Sequence, residues 1–243
     1  MSEYVGTDNL EVMTNALNYN KYLLGLVTSF TGKASNIVDF GAGIGTFANA
    51  MKQNGFPVHC IEPDSHQRKL IEHFGLTTDA SLASISQHKI DYLYSLNVLE
   101  HIQNDKEILC QIYEALEPGG QVLIYVPAFQ ILFSSMDRKV GHFRRYSKKE
   151  LIDKLTDAQF MVEKARYVDC AGFFVSILFR WIGDSSGKIN VGSLIFYDRI
   201  IFPLSRLCDF ICQYFFGKNV WVLARKPVQT SSQENDSRAF LKL

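Results

Sequence analysis

The chain has 243 residues, nearly half of them apolar, enough for a substantial core in a single domain with an elaboration. Its 25 basic and 25 acidic residues cancel, which excludes a general field drawing it to nucleic acid or anionic lipid. No apolar run approaches the ~20 residues of a membrane crossing, and the polar, acidic start MSEYVGTDNLEV argues against a secretory leader. The five cysteines, Cys60, Cys110, Cys170, Cys208 and Cys212, are scattered and odd in number, which suits a reducing compartment, so a cytoplasmic protein is expected. Cys208 and Cys212 sit four apart on an apolar stretch, a spacing that reads as buried helix packing rather than metal binding, and no metal site is expected.

In chain order, residues 9–29 carry apolar side chains at helical spacing and predict one or two amphipathic helices. A buried strand follows at 37–40, a helix at 45–54 closed by Gly55, a strand at 57–61 and a helix at 65–74 stopped by Gly75. Residues 76–78 predict a short third strand and 90–96 a fourth. A helix at 105–116 then leads through the turn Glu117-Pro118-Gly119-Gly120 into a fifth strand at 121–126. Residues 148–158 read as a helix and 161–168 as a strand. Strands alternating with helices imply a parallel sheet covered on both faces. Between 172 and 217 the composition turns aromatic, with a polar break GDSSGKIN inside it, and NVWVLARK from Asn219 returns to strand character. The aromatic block therefore predicts a helical insertion before the last strand, which packs as a pocket roof or dimer face or lies against a membrane. The domain is expected to span 1–228, with the polar tail 229–243 lacking structure.

The chemistry gathers at Val38-Asp39-Phe40-Gly41-Ala42-Gly43-Ile44-Gly45-Thr46. A strand turning sharply into a helix needs glycine where φ is positive or where backbone meets ligand, and Gly41, Gly43 and Gly45 supply it. A dinucleotide fingerprint requires a third glycine at position 46, which is Thr46. The acid is equally telling, because a carboxylate beside the turn repels pyrophosphate but attracts an ammonium group. Glu62 ends the second strand, where a carboxylate can accept both hydroxyls of a ribose, and Pro63 and Asp64 form the following turn.

The pattern Asp-x-Gly-x-Gly-x-Gly resembles motif I of class I S-adenosylmethionine-dependent methyltransferases. Three later stretches extend the resemblance in order: Leu76 to Ala80, with Asp79 and Ala80 where the family contacts adenine; Leu93 to Ile102, containing Asn97, Val98, Glu100 and His101; and Leu116 to Ile124. Together they cover residues 36–126, the expected donor-binding core. The resemblance implies a Rossmann-like, doubly wound α/β sheet of about seven strands, the last antiparallel and inserted between the fifth and sixth. It also implies S-adenosyl-L-methionine as cofactor, in-line methyl transfer, and donor contacts from Asp39, Gly41, Ala42, Gly43, Gly45, Glu62, Pro63, Asp64, Asp79, Ala80, Asn97 and Val98.

Deprotonation of a hydroxyl acceptor calls for a base, and His101 and His142 are the candidates. Glu100 reads as structural. His142 lies in Gly141-His142-Phe143-Arg144-Arg145-Tyr146, which resembles a Gly-His-x-Arg-Arg-Tyr segment of one methyltransferase subgroup. Arg144 and Arg145 could clamp a phosphate or carboxylate of the acceptor and Tyr146 orient it, or Asp137 could pair with one arginine to pin the loop. Residues Tyr4 to Tyr22 also resemble that subgroup, in which an N-terminal helix covers the donor pocket; this makes 1–30 the expected helical cap, with Tyr19, Asn20 and Tyr22 either lid contacts or helical core packing. The expected acceptor is a small or lipid-linked hydroxyl or amine, with no nucleic-acid partner and with peripheral membrane contact or a homodimer possible through 172–217. A nicotinamide-dependent oxidoreductase and a non-catalytic nucleoside-binding module are the alternatives.

Overall fold

The computed structural model describes residues 7–85, 90–182 and 190–228; the tail at 229–243 and most of the polar break, 183–189, lie outside the described residues. Seven strands, β1 (Ile37–Phe40), β2 (Val58–Ile61), β3 (Thr77–Asp79), β4 (Ile90–Leu96), β5 (Leu116–Pro127), β6 (Met161–Val168) and β7 (Asn219–Arg225), form one sheet in the order β3-β2-β1-β4-β5-β7-β6. The first five run parallel, and β7 lies antiparallel between β5 and β6. The chain winds outward from β1 to β3 and then returns to place β4 on the other side of β1. This reversal opens a crevice at the carboxyl ends of β1 and β4, where ligands of such sheets bind.

Both faces of the sheet are buried, which is why most of β7 reads as an unbroken apolar run and β1 is apolar apart from the buried Asp39. Alternate residues divide between two cores. Val38, Leu93, Val122 and Val222 face Leu109 and Ile112 of the helix Asp105–Ala115 and Leu151 and Leu155 of the helix Lys148–Asp157. Ile37, Tyr92, Tyr94 and Leu123 face the other way, against α2 (Leu17–Thr28), α3 (Thr46–Gln53) and α4 (Ser65–His73), which contribute Leu23, Val27, Met51 and Ile71. A shorter helix, α1 (Thr7–Met13), precedes α2.

Three local expectations are corrected. The turn at 117–120 does not precede β5 but lies within it: Ile90 pairs with Leu116 and Tyr92 with Gln121, so the extra residues bulge, with Gly119 at φ +89°. The stretch 133–146, whose mixture of polar, aromatic and basic residues reads as a loop between β5 and the next helix, contains a helical turn, Ser135–Val140, whose N-terminus is closed by reciprocal bonds between Ser134 and Asp137.

The third correction concerns the insertion, where Cys208 is exposed and Cys212 half-buried. The helix Cys170–Ile182 is followed by Val191–Phe196, a π-helical segment Tyr197–Ile201, and the helix Phe202–Cys212. This composite rod turns its acids inward. Buried Asp198 accepts bonds from the backbone N–H of Asn18 and Tyr19 at 2.9 Å each, capping α2. Buried Asp209 likewise accepts from the N–H groups of Asp169 and Cys170 at 2.9 Å. With these caps on the inner side, Phe196, Ile200, Leu204, Leu207 and Ile211 face outward, all at least half exposed. Cys208 follows them to the surface, so the apolar helix spacing is real but its polarity is reversed.

Candidate active site

The glycine turn leaves β1 at the crevice. Gly41, Gly43 and Gly45 all adopt positive φ, at +79°, +56° and +81°. Gly41 has a second constraint, because a Cβ there would sit 2.4 Å from Cγ2 of Val98. The turn is held from β2: the N–H groups of Gly41 and Ala42 donate to the carbonyl of Ile61 at 2.8 and 3.2 Å. Leu10 of α1 lies against Gly43, placing the N-terminal helices beside the turn.

Two acids flank this cradle, as the sequence predicts. Asp39 is buried at the end of β1, and the hydroxyl of Tyr94 donates to its Oδ2 at 3.0 Å. Burial pushes its carboxyl up to about 7, against the Tyr94 bond and with help from the Glu62 charge. Glu62, also buried, accepts from the N–H of Gly43 at 2.8 Å and of Asp64 at 2.9 Å, and burial raises its carboxyl too. Two desolvated acids held at one turn are disposed to receive a cation.

A pH dependence follows. A carboxyl raised in the folded protein stabilises the empty fold at low pH and loses that contribution as pH climbs from about 4 toward about 7. A cationic ligand needs the ionised form, so its affinity should rise by up to about tenfold per pH unit below 7 and then level off. Titrations between pH 5.5 and 8 should show this limb in the parent protein and lose it in Asp39→Asn; an unchanged limb in the variant would assign the proton elsewhere.

The remaining predicted donor residues line the same edge. Pro63 is exposed, while Asp64 caps α4 by accepting from the N–H groups of His66 and Gln67. Asp79 meets His59 Nε2 at 2.9 Å, and Ala80 is exposed beyond it. Asn97 is left-handed at φ +55° and donates its N–H to Tyr125. The Tyr19 hydroxyl lies against the Asn97 and Tyr125 side chains, its acidity suppressed by burial to a pKa of about 12.

Past β4 the chain makes a 3-10 turn, Leu99–His101, and the loop at 141–146 folds over it, the Phe143 N–H donating to the Glu100 carbonyl at 2.8 Å. This brings His101 and His142 together, ring centroids 4.5 Å apart. Burial lowers His101 to about 4, and the nearby His142 adds to the effect. His142 places Nδ1 2.7 Å from Asp137. Glu100 is fully buried with neither carboxylate oxygen hydrogen-bonded, and burial raises its carboxyl to about 8.

The two arginines divide between two aspartates. Arg145 reaches both oxygens of Asp137 at 2.8 and 2.9 Å, and with His142 it holds that carboxyl well below the usual range despite burial. Arg144 pairs instead with Asp105 at 2.8 Å and with the carbonyl of Gln103. Tyr146 is buried, its hydroxyl donating toward Leu99 O and Asp105. Nothing in the sequence marks Asp105 for this role beyond its being an acid in the first turn of a helix.

Residues 16–165 match the model of a family described as a methyltransferase domain. The chain belongs to that family. It is 31% identical over 99 residues to phosphoethanolamine N-methyltransferase 2 of Caenorhabditis elegans, a match covering 36% of this chain and 23% of that relative. Among solved structures it resembles a Thermotoga maritima protein described as an S-adenosylmethionine-dependent methyltransferase, possibly acting on histamine, with TM-score 0.62 at 15% identity over 91% of this chain and 98% of the other. It also resembles phosphoethanolamine N-methyltransferase 2 of Haemonchus contortus in complex with S-adenosyl-L-methionine, with TM-score 0.51 at 18% identity, covering 79% and 49%. The fold is thus that of S-adenosylmethionine-dependent methyltransferases, and the nicotinamide alternative finds no support in these matches.

Proposed function

We propose that the protein transfers the methyl group of S-adenosyl-L-methionine to a hydroxyl or amine of a small or lipid-linked acceptor. The observation that carries this reading is the pair of buried acids, Asp39 and Glu62, on either side of a left-handed glycine turn. Asp39 suits the donor's ammonium and Glu62 its ribose hydroxyls, while Asn97 and Val98 border the adenosine from β4. The helices at 7–28 act as a lid through Leu10 and Tyr19. Methyl transfer from a sulfonium is an in-line displacement, accelerated chiefly by holding the nucleophile in a near-attack pose. His101, from the turn after β4, and His142, from the loop that resembles the Gly-His-x-Arg-Arg-Tyr segment, address the acceptor's nucleophilic atom. Arg145 keeps one buried guanidinium nitrogen, Nη1, without a hydrogen-bond partner, which suits an anionic group on the acceptor. With methyl-labelled donor and a cell extract, label should enter an extractable acceptor. A protein that binds the donor yet transfers no label to any fraction would instead be a nucleoside-binding module.

The outward stripe of the insertion favours a lipid-linked acceptor. From Val191 to Gly217 the only acids are Asp198 and Asp209, both buried, whereas Arg199 is exposed among Phe196, Ile200, Leu204 and Leu207. Such a face, apolar, acid-free and edged by a cation, fits the interfacial layer of an anionic bilayer. No described helix is long and apolar enough to cross a membrane. In flotation, the protein should rise with vesicles containing anionic lipid, and Leu204→Asp/Leu207→Asp should stay at the bottom. A stable dimer by light scattering that ignores vesicles would give this face to a second copy instead.

A further inference from the structure

Among the described residues, Glu100, His101 and His142 each present one ligand atom, and these three atoms lie within 4.8 Å of one another. They come from two segments some 40 positions apart, joined by the bond between Phe143 N–H and the Glu100 carbonyl. In sequence the histidines read as candidate bases and Glu100 as structural; the fold makes them one cluster. We infer that Glu100, His101 and His142 form a binding site for a divalent first-row transition metal cation beside the donor pocket.

Three observations carry this inference. The first is the orientation of the histidines. Nδ1 of His142 is bound to Asp137 at 2.7 Å, so the opposite nitrogen, Nε2, is the one turned toward Glu100, 3.8 Å from Oε1. His101 is anchored by the backbone of Val140 and Gly141. One imidazole backed by a carboxylate and one by main chain is the support that metal-bound histidines receive.

The second is Glu100 itself. It is completely buried, and neither carboxylate oxygen has a hydrogen-bond partner. A buried acceptor left unpaired costs on the order of 1–3 kcal/mol, and more when it carries charge. Arg145, the nearby permanent cation, places Nε and Nη2 on the two oxygens of Asp137 and makes no hydrogen bond to Glu100. A cation among Glu100 and the two imidazoles satisfies the carboxylate without disturbing that pair.

The third is the donor set. Two imidazole nitrogens and one carboxylate favour Mn²⁺, Fe²⁺, Co²⁺ or Zn²⁺ over Mg²⁺ or Ca²⁺, which prefer oxygen throughout. Ligands about 2.1 Å from a common ion can be at most about 4.2 Å apart, so small side-chain rotations close the site. Three protein ligands leave a coordination position open. Glu100 lies two residues beyond Val98, whose side chain packs over Gly41, which puts the cluster near the glycine turn. There the cation would hold and polarise an oxygen of the acceptor. This role rests on the methyltransferase reading; the site does not.

Metal-free protein should be titrated calorimetrically with Zn²⁺, with Mn²⁺ by paramagnetic resonance, and with Mg²⁺. S-adenosylmethionine is titrated into the same samples, and thermal midpoints are recorded. The expected result is one equivalent of Zn²⁺ or Mn²⁺ bound at least tenfold more tightly than Mg²⁺. That affinity should fall at least tenfold in the near-isosteric Glu100→Gln and in His142→Gln, with the fold intact and donor affinity kept. Absence of stoichiometric binding, a preference for Mg²⁺, or parental affinity in both folded variants would overturn the site. Cation binding without any donor binding would leave the site standing and remove the methyltransferase role.

Discussion

Replacing Glu62 by alanine is expected to weaken S-adenosylmethionine binding by about a hundredfold. A hydrogen bond to a charged group contributes about 1.5–3 kcal/mol, and a carboxylate that accepts both ribose hydroxyls would lose two of them. Even at the lower end that is about 3 kcal/mol, or roughly two powers of ten in Kd. The substitution also frees the N–H groups of Gly43 and Asp64, which Glu62 holds at 2.8 and 2.9 Å, so the turn loses its fastening as well as its ligand contact. Glu62→Gln separates the two contributions, since one amide oxygen can still accept from the backbone while the charge and the second acceptor are gone. Calorimetry should show an intermediate loss for glutamine. An affinity within about threefold of the parent in both variants would move the ribose away from Glu62.

Gly41→Ala is expected to lower the thermal midpoint by about 10 °C and to abolish measurable donor binding. Gly41 sits at φ +79°, and an added Cβ would lie 2.4 and 2.6 Å from the two γ-carbons of Val98. The left-handed conformation costs a non-glycine residue roughly 1–2 kcal/mol, and the packing conflict adds about 1–3 kcal/mol. A protein of this size loses about 2–4 °C per kcal/mol, which gives the stated shift. The double variant Gly41→Ala/Val98→Ala relieves the collision but not the backbone strain, so it should recover about half of the loss. A midpoint and a donor affinity both unchanged in the single variant would mean that the turn is looser than the structure shows.

The sheet was legible because burial on both faces leaves a signature within each segment: short apolar runs such as residues 220–224, with the helices between strands punctuated by Gly55 and Gly75. The gathering of acids and glycines at the carboxyl edge of the sheet was legible for a related reason, since these residues lie within a few positions of strand ends. What escaped the sequence depends on distant partners. Asp198 caps a helix 180 residues earlier, and nothing around Asp198 marks it as inward-facing. With that acid and Asp209 turned in, the rod's apolar side faces out, so helical spacing alone located Cys208 in the wrong layer. The grouping of Glu100 with two histidines was likewise hidden, because a loop from beyond β5 must fold back onto the turn after β4. Arg144 and Arg145 are adjacent in sequence yet serve different aspartates, a division that spacing cannot decide.

The central claim is that a left-handed main-chain cradle between two buried carboxylates holds a sulfonium nucleoside. Calorimetric titration of the purified protein tests it most directly: S-adenosylmethionine and S-adenosylhomocysteine should each give saturable heat at one equivalent, and NADH none. Heat with NADH and none with either sulfur compound would contradict the account.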